Sequence, residues 1–183
     1  MKTIEEAKQQ VIEDFSVYDD WLDKYEYIIE LGKELSGYPD ALKTEEKLIK
    51  GCQSRVWLDA RLEDGKVVFA ADSDAIITKG IISLLISVYS GRTPPEISQD
   101  DFAWVDSIGL KENLSPTRAG GLAAMIATMA TLPKFAKGGI AYGPTLGLFG
   151  EYSNASTNPE VVAPLDRLRS LIGESSGANG NVT

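Results

Sequence analysis

The sequence contains no histidine and only one cysteine, Cys52. Without histidine, the chain cannot build a serine–histidine–aspartate triad or a zinc site of two cysteines and two histidines. A single thiol excludes an intramolecular disulfide, a paired-cysteine redox motif and an iron–sulfur cluster held by one chain. Cys52 is therefore the one sulfur nucleophile that the sequence offers, and no metal site is predicted.

Basic side chains are also scarce. The chain has 18 lysines and arginines against 27 aspartates and glutamates, which gives a net charge of −9 and a pI near 4.6. An acidic surface repels the phosphate backbone of nucleic acids. We therefore expect no nucleic-acid partner.

Long apolar runs are absent as well. The most apolar stretch, residues 81–88, is far shorter than the roughly 20 residues that cross a bilayer, and the first residues lack the apolar core of a signal peptide. An unpaired thiol is better tolerated in a reducing compartment. We expect a cytoplasmic protein with no membrane partner.

The composition is that of a globular domain, with 43% hydrophobic and 25% charged residues among 183.

Two amphipathic helices are predicted at the start of the chain. Thr3 and Glu6 form a capping-box pattern before the first helix, and Asp19 or Asp20 can cap the second. The predicted buried positions are Ile4, Ala7, Val11, Ile12 and Phe15, then Leu22, Tyr25, Ile28 and Ile29, with Gly32 near the end of the second helix.

Between Ser54 and Ala71 the apolar period changes to two, which is typical of strands with one buried face. Asp64-Gly65 is a strong signal for a two-residue hairpin turn, and this turn sets the register. The predicted cross-strand pairs, all on one face, are Leu62 with Val67, Ala60 with Phe69 and Leu58 with Ala71.

Three more helices are predicted after the hairpin. Asp72, Ser73 and Asp74 offer caps for a long helix that stops near Gly91. A short helix follows the pattern Thr93 to Glu96, and Ser115-Pro116 opens another, in which Gly120-Gly121 permits close packing. The fold class is therefore α+β, a small antiparallel sheet covered by helices. The predicted inner positions are Ile76, Ile77, Gly80, Ile81, Leu84, Leu85 and Val88 in the long helix, and Leu122, Met125, Ile126 and Met129 in the last.

Beyond Leu132 the composition changes. Nearly half of the glycines and half of the prolines lie there, and acidic and basic side chains balance, so the net negative charge belongs to the upstream part. We therefore predict two regions: a body, residues 1–131, and a weakly structured tail, residues 132–183, with at most a short helix at residues 165–171.

Cys52 stands at the bend before the predicted hairpin. A lone cysteine is most often an inert, buried residue. Flanking cations, however, favour the thiolate, which is the nucleophilic form and can attack a sulfur atom of another protein. From the residues alone both interpretations remain open. The candidates for supporting a reactive thiol are Lys50, Gly51, Gln53, Ser54 and Arg55.

Residues 51–57 (GCQSRVW) resemble the signature of the SufE family, the sulfur-acceptor partners of cysteine desulfurases. The resemblance continues in order through residues 25–32, 72–75, 79–80 and 114–118, and spans about residues 4–125. It implies a compact α+β fold shared with IscU-type scaffolds, with the cysteine on a loop beside the sheet. The tail from Leu132 onward has another resemblance, to the C-terminal region of phage tail tape-measure proteins.

The resemblance to SufE implies that Cys52 takes the terminal sulfur of a persulfide from a SufS-type desulfurase and passes it to a SufB-containing scaffold complex. Pyridoxal phosphate would belong to the desulfurase, so no cofactor is expected on this chain. The chain would be a sulfur carrier, monomeric or weakly dimeric, and not a stand-alone enzyme. Asp74 and Arg118 match family positions near the reactive loop and the desulfurase-facing surface. Judged by residue type, Asp74 is equally a helix cap, and Arg118 a solvated or ion-paired side chain.

A carrier has to hide a persulfide from reductants and still offer its thiol to the donor, and burial raises the pKa of a thiol. We therefore expect the loop of residues 50–54 to shelter Cys52 in the free protein and to swing outward on docking. The alternative function is a structural or interaction protein in which Cys52 is inert and the tail is the functional element.

Overall fold

The structure is a computed structural model that describes residues 2–35, 37–136, 139–141 and 160–162, with side chains between residues 2 and 133. The described residues form six helices, two strand pairs and three short 3₁₀ turns. The helices are α1 (Ile4–Ser16), α2 (Trp21–Glu34), α3 (Ile76–Tyr89), α4 (Pro94–Ser98), α5 (Ala103–Ser107) and α6 (Pro116–Ala136). The strands are β1 (Val56–Glu63), β2 (Lys66–Ser73), β3 (Gly139–Ala141) and β4 (Glu160–Val162), and the 3₁₀ turns are Asp40–Leu42, Glu45–Lys47 and Lys111–Asn113.

The chain divides into two units, Met1–Pro133 and Lys134–Thr183. In the second unit β3 pairs antiparallel with β4, with Gly139 opposite Val162. The short helix predicted at residues 165–171 lies outside the described residues, as does most of the predicted tail.

Helix α3 is the centre of the first unit. Its sequence is apolar on nearly all sides, which is typical of a helix that packs against several neighbours. Contacts with α1, α2 and β2 surround it. No helix of the described part combines the length and the apolar character that a membrane span requires. The buried residues of α3 are Thr78, Gly80, Ile81, Ile82, Ser83, Leu84, Leu85, Val88 and Tyr89.

Helices α2 and α3 cross at a point where neither has room for a side chain. A Cβ atom on Gly80 would lie 2.1 Å from the carbonyl oxygen of Ile28, and one on Gly32 would lie 2.8 Å from the amide nitrogen of Gly80. Next to this crossing, the hydroxyl of Ser83 donates a hydrogen bond to the carbonyl of Leu31 at 2.7 Å. The two glycines therefore set how closely the helices approach.

The predicted hairpin is confirmed. The register pairs Leu62 with Val67, Ala60 with Phe69 and Leu58 with Ala71. The turn residues Asp64 and Gly65 have φ values of +47° and +78°, as a type I′ turn requires. The strands run from Val56 and continue to Ser73, two residues beyond the predicted end.

The predicted helix starts are confirmed at four places. Capping boxes join Thr3 to Glu6 and Thr93 to Glu96. Asp20, and not Asp19, caps α2. The helix that Ser115-Pro116 opens has Leu122, Met125 and Met129 buried, and Ile126 half-buried, as predicted.

Other predictions are wrong. Leu22 and Ile76 are 69% and 67% exposed. The apolar stripe of α2 instead passes through Trp21, one position earlier, because Trp21, Tyr25, Ile28 and Gly32 follow the helical spacing. Ile76 is the first residue of α3, one position before the buried stripe begins at Ile77.

The predicted cap of α3 is also wrong. The N-cap residue is Ala75, which makes no side-chain hydrogen bond, because strand β2 extends through Asp72 and Ser73. Of the two adjacent glycines in α6, only Gly121 meets a neighbour closely, since a Cβ atom on Gly120 would have nothing within 4 Å.

We predict that Gly80→Ala destabilises the protein by about 3 kcal/mol or more, because the added methyl group would overlap the backbone of α2. Gly120→Ala is the matched control, since its methyl group enters open space and alanine is the better helix former. We expect this control to raise the free energy of unfolding by about 0.5–1 kcal/mol. Urea denaturation of both variants measures the difference, and equal stabilities would contradict the prediction.

Candidate functional site around Cys52

The loop that carries Cys52 is closed at its base. The amide of Ile49 donates a hydrogen bond to the carbonyl of Val56 at 2.8 Å, and Leu48 pairs antiparallel with Trp57 beside it. Gly51 makes the bend with a φ of +95°, a conformation that other residues rarely adopt. We call the segment from residue 50 to residue 55 the Cys52 loop.

Asp74 fixes the downstream end of the Cys52 loop. Its carboxylate accepts a hydrogen bond from the amide of Arg55 at 3.0 Å, and its own amide donates to the carbonyl of Arg55 at 3.2 Å. The hydroxyl of Ser73 donates to that same carbonyl at 2.8 Å. Asp74 is thus a clamp between the loop and the end of β2, and the interpretation of Asp74 as a helix cap is wrong.

Helix α6 covers the sulfur atom. The half-buried thiol of Cys52 donates a hydrogen bond to the carbonyl of Gly121, with 3.5 Å between sulfur and oxygen. A Cβ atom on Gly121 would lie 3.5 Å from the same sulfur. Only a protonated thiol can donate this bond, so the contact favours the neutral form.

A cavity of about 80 Å³ opens beside the thiol. It lies between the Cys52 loop, α3 and α6, so three separate parts of the chain meet there. Its wall combines apolar side chains with hydroxyl, amide and guanidinium groups. The lining residues are Cys52, Gln53, Ser54, Thr78, Ile81, Thr117, Arg118, Gly121 and Met125.

Burial raises the pKa of the Cys52 thiol above its ordinary value, because the low-dielectric surroundings disfavour the thiolate. Lys50 and Arg55 are exposed at the surface of the loop and are not among the residues that line the cavity. The prediction that these two cations favour the thiolate is therefore wrong for this conformation. Arg118, from α6, does reach the cavity.

The structure thus brings together part of the predicted set. Gln53, Ser54 and Arg118 line the cavity with Cys52, while Gly51 forms the bend and Asp74 holds the loop end. The sequence analysis did not assign Thr78 and Thr117 to the site, and it predicted Ile81 only as an inner residue of the long helix. Thr78 is one of several polar residues in a mostly apolar helix, and periodicity alone does not say which of them faces the cavity.

A family model described as "SufE: Fe-S metabolism associated domain" matches residues 9–132. The chain belongs to the SufE family. It is 40% identical over 122 residues to an uncharacterized SufE-like protein of Rhizobium meliloti (strain 1021), a match that covers 64% of this chain and 87% of the relative. An uncharacterized SufE-like protein of Rhizobium etli is 41% identical over 122 residues, which cover 64% of this chain and 82% of that protein.

The fold is found in a solved structure as well. The solution structure of a hypothetical protein from Thermus thermophilus superposes with a TM-score of 0.61 at 21% identity, and the match covers 71% of this chain and 95% of that chain. This likeness concerns the fold. Membership of the SufE family links the chain to iron–sulfur metabolism and places its one cysteine within the matched region.

We predict that Asp74→Ala speeds alkylation of Cys52 by iodoacetamide roughly threefold or more, because the loop end loses a charge-assisted hydrogen bond. Asp19→Ala is the matched control, since it removes an exposed carboxylate from another part of the body. Intact-mass kinetics at fixed pH measure both rates. An unchanged rate in a folded Asp74→Ala protein would show that the clamp does not restrict the loop.

We also predict the pH dependence of Cys52. Burial raises the pKa of this thiol in the folded protein. In the chain unfolded in urea, a thiol has a pKa of about 8.5. The alkylation rate of the folded protein should therefore reach half of its plateau at a higher pH than that of the unfolded chain. Rate–pH profiles of folded and unfolded protein test this shift. A midpoint in the folded protein at or below the unfolded one would contradict it.

Proposed function

We propose that this protein accepts a sulfur atom on Cys52 from the persulfide of a SufS-type cysteine desulfurase and delivers it to iron–sulfur cluster assembly. The observation that carries the proposal is the position of Cys52, the one nucleophilic sulfur of the chain, beside a cavity large enough for an added sulfur atom, in a domain of the SufE family.

The reaction is an exchange of one sulfur atom between two cysteines. The thiolate of Cys52 attacks the terminal sulfur of the donor persulfide, the sulfur–sulfur bond of the donor breaks, and the donor cysteine leaves as a thiolate. Cys52 then carries the persulfide, and the proton of its thiol passes to the donor cysteine through solvent. The sulfur atom moves without net oxidation or reduction, so the step needs no redox cofactor.

The way in which the Cys52 loop is attached is compatible with two states, one in which the thiol is sheltered and one in which it is exposed. Its ends are held by Ile49 and by the clamp at Asp74. Between these ends, the thiol-to-Gly121 bond is the one hydrogen bond that joins residues 50–54 to the rest of the body among the described residues. Weak attachment in the middle and firm attachment at both ends favour an outward swing of the loop when the desulfurase docks.

Membership of the SufE family, which is associated with Fe-S metabolism, supports the proposed partners. The pyridoxal phosphate that generates the persulfide belongs to the desulfurase, and a SufB-containing scaffold complex receives the sulfur. The alternative, an inert Cys52 with a functional tail, makes the opposite prediction for the thiol, since it expects no sulfur to be transferred.

We predict that incubation with a SufS-type desulfurase, pyridoxal phosphate and L-cysteine adds the mass of one sulfur atom to the full-length protein. Cys52→Ser should gain none, because serine cannot form the persulfide. Intact mass spectrometry measures both, and dithiothreitol should reverse the gain. A reaction without L-cysteine serves as the control for sulfur from other sources. A folded wild-type protein that stays at its starting mass would contradict the proposed function.

A further inference from the structure

Thr78 differs from the other hydroxyl residues of α3. It is 7% exposed and lines the cavity beside Cys52. Ser83 and Ser87, on the same helix, donate hydrogen bonds to the carbonyls of Leu31 and Leu84, both at 2.7 Å. The hydroxyl of Thr78 has no hydrogen-bond partner among the residues that the structure describes.

The unpaired hydroxyl of Thr78 is not fully enclosed, and Thr78 lines the cavity. In the described part of the chain, every fully enclosed side-chain nitrogen or oxygen atom has a hydrogen-bond partner, so an oxygen without one still has access to open space. The cavity is the space next to Thr78. A valine would fill the same volume, whereas threonine adds a hydroxyl donor that a group entering the cavity can use.

The cavity has the size and the polarity for the outer sulfur of a persulfide. Its volume of about 80 Å³ exceeds the roughly 10–15 Å³ that a single water molecule needs. The outer sulfur of a persulfide is more acidic than a thiol, and in its ionised form it accepts hydrogen bonds and cannot donate them. The carbonyl of Gly121, which accepts the bond from the thiol, would repel that anion.

We propose that the hydroxyl of Thr78 donates a hydrogen bond to the outer sulfur of the Cys52 persulfide and holds it inside the cavity. The inference rests on the proposed function, because it needs Cys52 to carry a persulfide. Thr78 lies on α3, whereas the carbonyl that holds the unloaded thiol lies on α6. Loading with sulfur thus exchanges a hydrogen bond to one helix for a hydrogen bond from the other.

The test loads Cys52 chemically, so that it does not depend on the desulfurase. The Cys52 thiolate attacks a terminal sulfur of inorganic tetrasulfide, a sulfur–sulfur bond breaks, and trisulfide leaves. After removal of excess tetrasulfide, dithiothreitol is added at a fixed concentration, and intact mass follows the loss of the extra sulfur. The compared proteins are wild type, Thr78→Val, Thr78→Ser and Thr128→Val.

We expect the persulfide of Thr78→Val to be reduced roughly three- to tenfold faster than that of wild type, as the loss of one hydrogen bond predicts. Thr78→Ser keeps the hydroxyl and should stay within about twofold of wild type. Thr128→Val is the matched control, since the hydroxyl of Thr128 in α6 is already bonded to the carbonyl of Ala124 at 2.7 Å. Alkylation of the unloaded thiol should be equal in wild type and Thr78→Val, because Thr78 does not hold the thiol.

Three outcomes would overturn the inference. A folded Thr78→Val protein whose persulfide lasts as long as that of wild type would show that the hydroxyl does not bind it. A Thr78→Ser protein that behaves like Thr78→Val would assign the effect to packing of the methyl group. Wild type that retains no sulfur after tetrasulfide would show that no persulfide is held. In contrast, a chemically loaded persulfide that persists in a protein that the desulfurase cannot load would overturn the proposed function alone.

Discussion

The crossing of α2 and α3 is the constraint on which the candidate site depends. At Gly80 the carbonyl of Ile28 occupies the place where a side chain would start, so the backbones of the two helices are in direct contact. This contact fixes α3 within the core, and β2 packs against α3. The wall of the cavity is then determined, because Thr78 and Ile81 lie on either side of Gly80. A glycine that does not itself line the cavity therefore helps to decide what the sulfur faces.

The opposite wall is α6. The carbonyl of Gly121 accepts the thiol hydrogen bond, and a Cβ atom on this residue would be in ordinary van der Waals contact with the sulfur. The Cys52 loop thus packs against α6 on the side opposite α3. The energetic consequence is the raised pKa of the thiol, whose cause is burial and not the charge of any neighbour. Shelter and low reactivity have the same physical origin.

Much of the fold could be predicted because its signals are local. The register of the hairpin follows from Asp64-Gly65 and from strict alternation on both strands, which involve contacts between residues that are close in sequence. The capping boxes at Thr3 and Thr93 are local in the same sense. The position of Cys52 on a loop before β1 was equally readable from the residues around it.

The failures concern residues whose role depends on distant parts of the chain. Asp74 has the side chain of a helix cap, yet its carboxylate binds the amide of Arg55, which lies 19 positions earlier. Lys50 and Arg55 flank Cys52 in sequence but are exposed and do not line the cavity, whereas Arg118 comes to it from α6. Thr78 was not singled out, because α3 contains several polar residues and its pattern does not show which of them lines the cavity.

The cause of the raised pKa also determines how the proposed carrier would be activated. If a nearby anion raised the pKa of Cys52, an outward movement of the loop would have to break a specific pair to restore reactivity. Since burial raises it, and the hydrogen bond to Gly121 favours the same neutral form, exposure removes both effects and brings the acidity of the thiol back toward that of an ordinary cysteine. Docking that draws the loop away from α6 would then uncover the sulfur and increase its thiolate fraction in one movement. With no histidine in the chain to act as a base at neutral pH, this coupling of exposure to acidity is the means of activation that the fold offers.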